Sequence, residues 1–304
     1  MPADPATASR ALPLTLRGVG RRFDRPVLHG VDLDVAAGEI VAVLGPSGCG
    51  KSTLLRQLGG LDQPDTGTVQ IGDEPARHAD QRCAVAFQEP RLLPWRTLRD
   101  NVALGLPKPS KQSAKTSTAS SSTTTSSPKL TKPERDARLT ELLDLVHLTP
   151  AGARRPREVS GGMAQRASLA RALARQPAVL LLDEPFGALD ALTRLRMQDL
   201  LVDVHDALPT TVVLVTHDVD EALYLADRIV LLADLSQQPA DPASADSDGG
   251  ATSIQRIVTV PGTRRRDRDD PELAVLRQEL LEGLGVHRVR AGNTVTSTLT
   301  ATRP

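Results

Sequence analysis

The segment Ile40-Val-Ala-Val-Leu-Gly-Pro-Ser-Gly-Cys-Gly-Lys-Ser-Thr53 decides the fold class. Ile40–Leu44 is a short, uninterrupted apolar run rich in β-branched residues. Such a run belongs to a strand covered on both faces, as in a parallel sheet. It leads into Gly45–Thr53, which fits G-x-x-x-x-G-K-S/T, and a helical pattern follows over Ser52–Gly59. Glycines at 45, 48 and 50 let the backbone curl until successive N–H groups form an anion nest. The helix that follows adds its positive end. Gly45, Pro46, Ser47, Gly48, Cys49, Gly50, Lys51, Ser52 and Thr53 are therefore candidate phosphate-binding residues. Lys51 can reach the β- and γ-phosphates of a nucleotide, and the Ser52 hydroxyl can bind Mg²⁺. The bland alternative is a glycine-rich strand–helix turn that carries a lysine by chance.

Working outward, apolar runs of the same texture recur at Cys83–Phe87, Val179–Leu182, Thr211–Val215 and Ile229–Leu232. Helical spacing separates them at Glu134–Leu148, Gly162–Arg175 and Ala191–Ala207. Strands alternating with helices mean an α/β architecture with a mostly parallel sheet. Before Ile40 the pattern alternates, which suggests antiparallel strands over Leu12–Val35 with turns at Gly18–Gly20 and Asp24–Pro26. After the last apolar run come an expected strand at Ile254–Val260, a mixed-charge run Arg264–Asp270 expected to be a solvated loop, and a helix at Glu272–Leu284. Residues 110–127 contain 13 Ser or Thr. With no apolar periodicity they cannot offset their ordering entropy, so about 107–133 is expected to be a disordered insertion. Residues 234–253 and the tail 1–11 are expected to be flexible as well.

The 304 residues fit one large α/β domain with additions, or about two domains. Thirty-seven basic residues balance 37 acidic ones. A net charge of zero argues against bulk nucleic-acid binding, which needs a positive surface field. Cys49 and Cys83 cannot build a disulfide framework, and a reducing compartment is expected. No stretch approaches the apolar length needed to span a bilayer, and residues 1–18 lack the apolar core of a secretory signal.

Two further motifs sharpen the chemistry. Leu180-Leu-Leu-Asp-Glu184 is an apolar strand ending in two acids, at the edge where open α/β sheets bind ligands. Asp183 would hold Mg²⁺ and Glu184 would polarise an attacking water. Val159-Ser-Gly-Gly-Met-Ala-Gln-Arg166 places Ser160 as an N-cap, with Gly161 and Gly162 exposing backbone N–H groups before a helix. It is a second anion site without a lysine, and by its residues alone it also fits a merely capped helix.

This last segment resembles the signature of ABC-type ATPases, with Val159 and Met163 standing where that family usually has leucine and glutamine. The resemblance covers roughly residues 12–260. It implies a P-loop NTPase core with an N-terminal antiparallel β subdomain, a helical subdomain at about 90–175, and a C-terminal helix and tail over 261–304. It further implies that Gln88 contacts Mg²⁺ and the attacking water, that Asp190 acts across a dimer, and that His217 meets the γ-phosphate. Phe23 would stack on adenine, although a core position in the small sheet is open to it. Leu92-Leu-Pro-Trp95 and Asp100-Asn-Val-Ala-Leu-Gly-Leu106 are similar to the nitrate, sulfonate and taurine import branch. Met197–Leu200 and Val213–Val219 are similar to the ATP-binding subunits of aliphatic sulfonate importers. Trp95 fits either a partner anchor or a core residue. The resemblance implies a homodimer that hydrolyses ATP with Mg²⁺ on the cytoplasmic face of the membrane. It would serve two transmembrane permease subunits and an extracytoplasmic solute-binding protein. A nitrate or taurine importer, a soluble non-transport ABC ATPase and a small-molecule kinase are the alternatives. Cys49 inside the loop suggests inhibition by thiol reagents, with protection by ATP.

Overall fold

The computed structural model describes residues 10–107, 130–235 and 252–285. The expected insertion core 110–127, residues 236–251 of the second expected flexible segment, and residues 1–9 and 286–304 lie outside the described residues.

Strands β1 (Leu14–Arg22) and β2 (Pro26–Val35) form an antiparallel pair that turns between Arg22 and Pro26. The glycines at 18 and 20 do not turn the chain. They lie inside β1, where the register against β2 shifts between Leu16 and Val19. Gly18 has φ +59° and its N–H donates to Asp32 Oδ1 at 2.9 Å, so it forms a bulge. Strand β3 (Ile40–Leu44) follows, and then a hairpin that the sequence pattern did not reveal, β4 (Thr66–Ile71) and β5 (Glu74–Pro75). Its signal was Gly72-Asp73, a two-residue turn between paired Ile71 and Glu74. The small sheet runs β2-β1-β4-β5.

The large sheet contains β3, β6 (Cys83–Ala86), β7 (Val179–Asp183), β8 (Thr211–Val215), β9 (Arg228–Leu232) and β10 (Ile254–Thr259). Its order is β10-β9-β3-β8-β7-β6, parallel except for β10, which runs antiparallel to β9. Every residue of β3 and β8 is buried, which is why these strands carry no polar alternation. Val41 and Val43 face one core, shared with Leu14, Leu16, Val31 and Leu33 of the small sheet. Ile40, Ala42 and Leu44 face the other.

The α-helices are α1 (Lys51–Leu58), α2 (Leu98–Ala103), α3 (Lys132–Leu145), α4 (Gly161–Ala174), α5 (Ala191–Ala207), α6 (Val219–Leu225) and α7 (Pro271–Gly283), and short 3-10 turns lie at Thr149–Ala151 and Pro156–Glu158. Helices α2, α3 and α4 pack together through Leu98, Val102, Leu139, Leu142 and Leu169. Buried Asn101 of α2 accepts from the Leu93 N–H at 2.7 Å and so fixes the segment that carries Trp95.

The arginine run before α7 is the expected loop, with residues 265 and 267–269 exposed, but Arg266 is drawn into the interior. Arg266 is 7% exposed, and it donates to the carbonyls of Pro261, Val260, Gly262, Leu223 and Tyr224. Arg264 pairs with Asp227 at 3.3 Å, and the Arg268 guanidinium lies 3.6 Å above the Tyr224 ring. A single charged side chain becomes interior when enough carbonyls converge on it. Arg266→Leu should lower unfolding free energy by about 2 kcal/mol, because it leaves those carbonyls unpaired. A urea titration followed by circular dichroism would show the lower midpoint.

Candidate nucleotide-binding site

Strand β3 delivers the chain into the loop 45–50, and α1 carries it away. Gly50 caps α1 at φ +101°, where a Cβ would meet Leu28 Cδ2 at 2.8 Å, so no larger residue fits. The N-terminus of α1 is unlike the others. Thr97, Ser160, Asp190, Asp218 and Asp270 cap α2, α4, α5, α6 and α7, and Glu134 reaches back to Thr131 at α3. Among the described α-helices, α1 alone has neither a side-chain cap nor an acid in its first turn. Its N–H groups stay available and its positive end uncompensated, the arrangement that binds phosphate. Lys51 is 8% exposed, and its ammonium donates to the Gly45 and Pro46 carbonyls at 2.7 and 2.8 Å. Among the described residues no carboxylate pairs with it, so its charge is free to meet an anion.

Asp183 ends β7 beside this loop, and the Ser52 hydroxyl donates to its Oδ1 at 3.3 Å. Burial pushes the Asp183 carboxyl up, and adjacent Glu184 adds to the shift; the Ser52 hydrogen bond opposes it. Such a carboxylate gains by meeting a cation. Glu184 sits at φ +45°, and its N–H donates to the Val215 carbonyl at 2.9 Å. Its Oε2 lies 3.1 Å from Nδ1 of His217, which follows β8 and is largely exposed. Gln88 joins this cluster from the end of β6. A Cβ built on Gly187 would lie 3.2 Å from Gln88 Nε2 and 3.6 Å from Glu184 Oε2, so both side chains approach one point. Gly187 was not among the sequence candidates. Its only signal was a glycine in a tight turn after Glu184, to whose carbonyl its N–H donates at 3.2 Å. Two more residues went unnoticed. Buried Gln165 donates to the Phe87 carbonyl at 3.0 Å, and Arg171 donates to those of Pro90 and Arg91 at 2.7 and 2.8 Å. Helix α4 thereby fixes the loop that carries Gln88.

Residues 28–187 match the ABC transporter family. Aliphatic sulfonates import ATP-binding protein SsuB 2 of Burkholderia lata is 42% identical, over 98% of this chain and 96% of its own length. The chain belongs to the ABC transporter family. Nitrate import ATP-binding protein NrtD of Synechococcus elongatus is 38% identical, over 88% of this chain and 89% of its own. The dimeric ATP-binding cassette MJ0796, in a post-hydrolysis state bound to ADP and Pi, superposes with a TM-score of 0.60. It is 28% identical and covers 82% of this chain and 100% of its own.

In this ABC chain the remaining candidates lie apart from Lys51. Ser160 caps α4 by accepting from the Met163 N–H at 3.3 Å, and a Cβ on Gly162 would sit 2.5 Å from Thr193 Cγ2. Asp190 accepts from the Thr193 N–H at 3.0 Å, a bond that holds its carboxyl below the usual range. Ser160, Gly161, Gly162 and Asp190 thus share one surface around Thr193. Among the described residues no hydrogen bond or ion pair ties them to Gly45–Thr53. Phe23 is 58% exposed at the β1–β2 turn, with the Arg21 guanidinium 4.9 Å from its ring, which removes the core alternative. Trp95, at 68%, is likewise no core residue. No helix among the described residues is long and apolar enough to cross a membrane.

The thiol expectation fails. Cys49 is 2% exposed, and its Sγ would lie 2.6 Å from a Cβ on Gly45, so it packs inward under the loop. Burial pushes its thiol up, and pushes Cys83 up to about 12. Both remain protonated near neutral pH, and a protonated buried thiol is inert. Titration with a chromogenic thiol reagent should find almost no reaction in the folded chain and two thiols after denaturation.

Proposed function

We propose that this chain is the ATP-binding subunit of an ABC importer, acting as a head-to-tail homodimer. The observation that carries this reading is the division of the site. The uncapped α1 and Lys51 gather with Asp183, Glu184, His217 and Gln88, while the N–H donors of Ser160–Gly162 stand elsewhere on the surface. A second copy brings those donors to the γ-phosphate, with Asp190 beside them. Each nucleotide then lies on the phosphate loop of one copy and under the signature segment of the other, with Phe23 against the base. Binding draws the copies together because both supply donors to one anion.

Among the described residues no cluster of three His, Cys, Asp or Glu could hold a metal. The Ser52 hydroxyl, Asp183 and Gln88 suit Mg²⁺, which accepts few protein ligands and takes the rest from phosphate and water. When bound it neutralises phosphate charge. Water positioned by Gln88 and Glu184 attacks the γ-phosphorus, the bond to the ADP oxygen breaks, and Glu184 takes the water proton. His217, 3.1 Å from Glu184, holds that carboxylate in place. Catalysis is mostly positioning and electrostatics. Loss of the shared γ-phosphate lets the copies part.

The exposed Trp95 and a cavity of about 320 Å³ lined by Phe87, Leu104 and Arg171 suit a helix from each of two membrane permease subunits. Motion would pass through the Gln88 loop, on the cytoplasmic face of the membrane. An extracytoplasmic binding protein would deliver the solute. Identity of 42% to an aliphatic sulfonate import subunit favours aliphatic sulfonates as cargo; the nitrate import relative, at 38%, marks the second reading.

Glu184→Gln should bind ATP with little change, lower turnover by about 10²-fold or more, and elute as a dimer in gel filtration with ATP. A full hydrolysis rate in this variant would remove Glu184 from its role. Deleting the chain from its host should abolish growth on an alkanesulfonate as sole sulfur source while sparing growth on sulfate. Loss of growth on nitrate instead would assign the cargo to the second reading.

A further inference from the structure

The turn that ends in Asp190 and the turn that carries His217 are joined by one side chain. Arg194 lies one turn into α5, and its backbone N–H donates to the Asp190 carbonyl at 2.8 Å. Its guanidinium folds back and donates through Nη2 to the Leu189 carbonyl at 3.2 Å. Nη1 reaches Asp218 Oδ2 at 3.4 Å, and Nε stands 3.7 Å from Glu221 Oε1. Both acids open α6, directly after His217. Glu221 is 3% exposed, and its other oxygen accepts from the Thr216 hydroxyl at 2.6 Å. That hydroxyl also accepts from the Asp218 N–H at 3.1 Å, so Thr216 and Asp218 fix the backbone on both sides of His217. His217 then meets Glu184. A hydrogen-bonded path therefore runs from the Leu189 carbonyl through Arg194 and Asp218 to Thr216, on the two sides of His217, which meets Glu184.

We propose that Arg194 is a positioning residue. It sets the His217 turn according to the placement of the Gly187–Asp190 turn, so that contact with the second copy is felt at Glu184. This rests on the dimeric hydrolysis reading above. The planar guanidinium matters because it bonds the Leu189 carbonyl and Asp218 in different directions while its Nε faces Glu221 at ion-pair distance, which an ammonium on a flexible stem does poorly. The Arg194 guanidinium reaches Leu189, Asp218 and Glu221 rather than Glu184 or the phosphate loop, so its loss acts through His217. The buried Glu221 left behind would swing, and the His217 ring with it.

The test uses the full chain with Arg194→Ala, Arg194→Lys, His217→Ala and the double variant Arg194→Ala/His217→Ala. Fluorescent ATP-analogue binding, single-turnover ATP cleavage and thermal melting are measured on each. Arg194→Ala should keep nucleotide affinity within about twofold and lower the cleavage rate about tenfold, with Arg194→Lys between it and the unaltered chain. In the His217→Ala background, Arg194→Ala should slow cleavage by less than about twofold, because the path is already cut. Nitrogen-15 spectra should show the His217 ring resonance, assigned by its loss in His217→Ala, displaced in Arg194→Ala. An equal rate loss in both backgrounds, or an unmoved His217 resonance, overturns the proposal. If Arg194→Ala melts too early to assay, the same spectrum on Arg194→Lys decides it by the same criterion. Absence of ATP cleavage by the unaltered chain would instead refute the hydrolysis reading.

Discussion

The structure depends on hydrogen-bond donors left without an internal partner. Five of the described helices start on a Ser, Thr or Asp side chain that takes up their first N–H groups, and α3 starts on a capping glutamate. At α1 the loop supplies glycine instead, and Lys51 stands over it without a carboxylate. Orphan donors and an unpaired cation destabilise a free protein. They are tolerated here because β3, buried on both faces, anchors the loop rigidly. An anion completes what the fold withholds. Asp183, Glu184, Gln88 and His217 gather around that place because parallel strands β6, β7 and β8 all end at the same edge.

Much of this was legible in the sequence, for physical reasons. A strand covered on both faces has no polar alternation, so Ile40–Leu44 and Thr211–Val215 announced themselves. Ser160 was found through the residue types that cap helices, whereas Asp190 came only from the family resemblance. Elsewhere one pattern served two structures. The glycines at 18 and 20 signal a turn as well as they signal a bulge, and only the pairing of Val19 with Val31 distinguishes them. Helices α2 and α6 are too short for apolar periodicity to emerge. The run Arg264–Arg268 has the composition of a solvated loop; the carbonyls of Val260, Leu223 and Tyr224 that enclose Arg266 leave no mark on composition.

Side-chain direction inside a loop was the least legible feature. A tight turn has neither the period of a helix nor that of a strand. Nothing in Gly45–Gly50 therefore said that Cys49 packs beneath the loop. The same holds for Arg194 and Arg196, alike in sequence. Only the first finds Leu189, Asp218 and Glu221 within reach.

Glu184 carries a consequence for the history of such a chain. Its left-handed backbone, φ +45°, is a conformation that glycine or asparagine adopts with far less strain, and holding another residue there costs about 1–3 kcal/mol. The bonds to Val215 and Gly187 keep it in place. Selection for heat resistance alone would therefore favour replacing this carboxylate, and its persistence would record a trade of robustness against turnover.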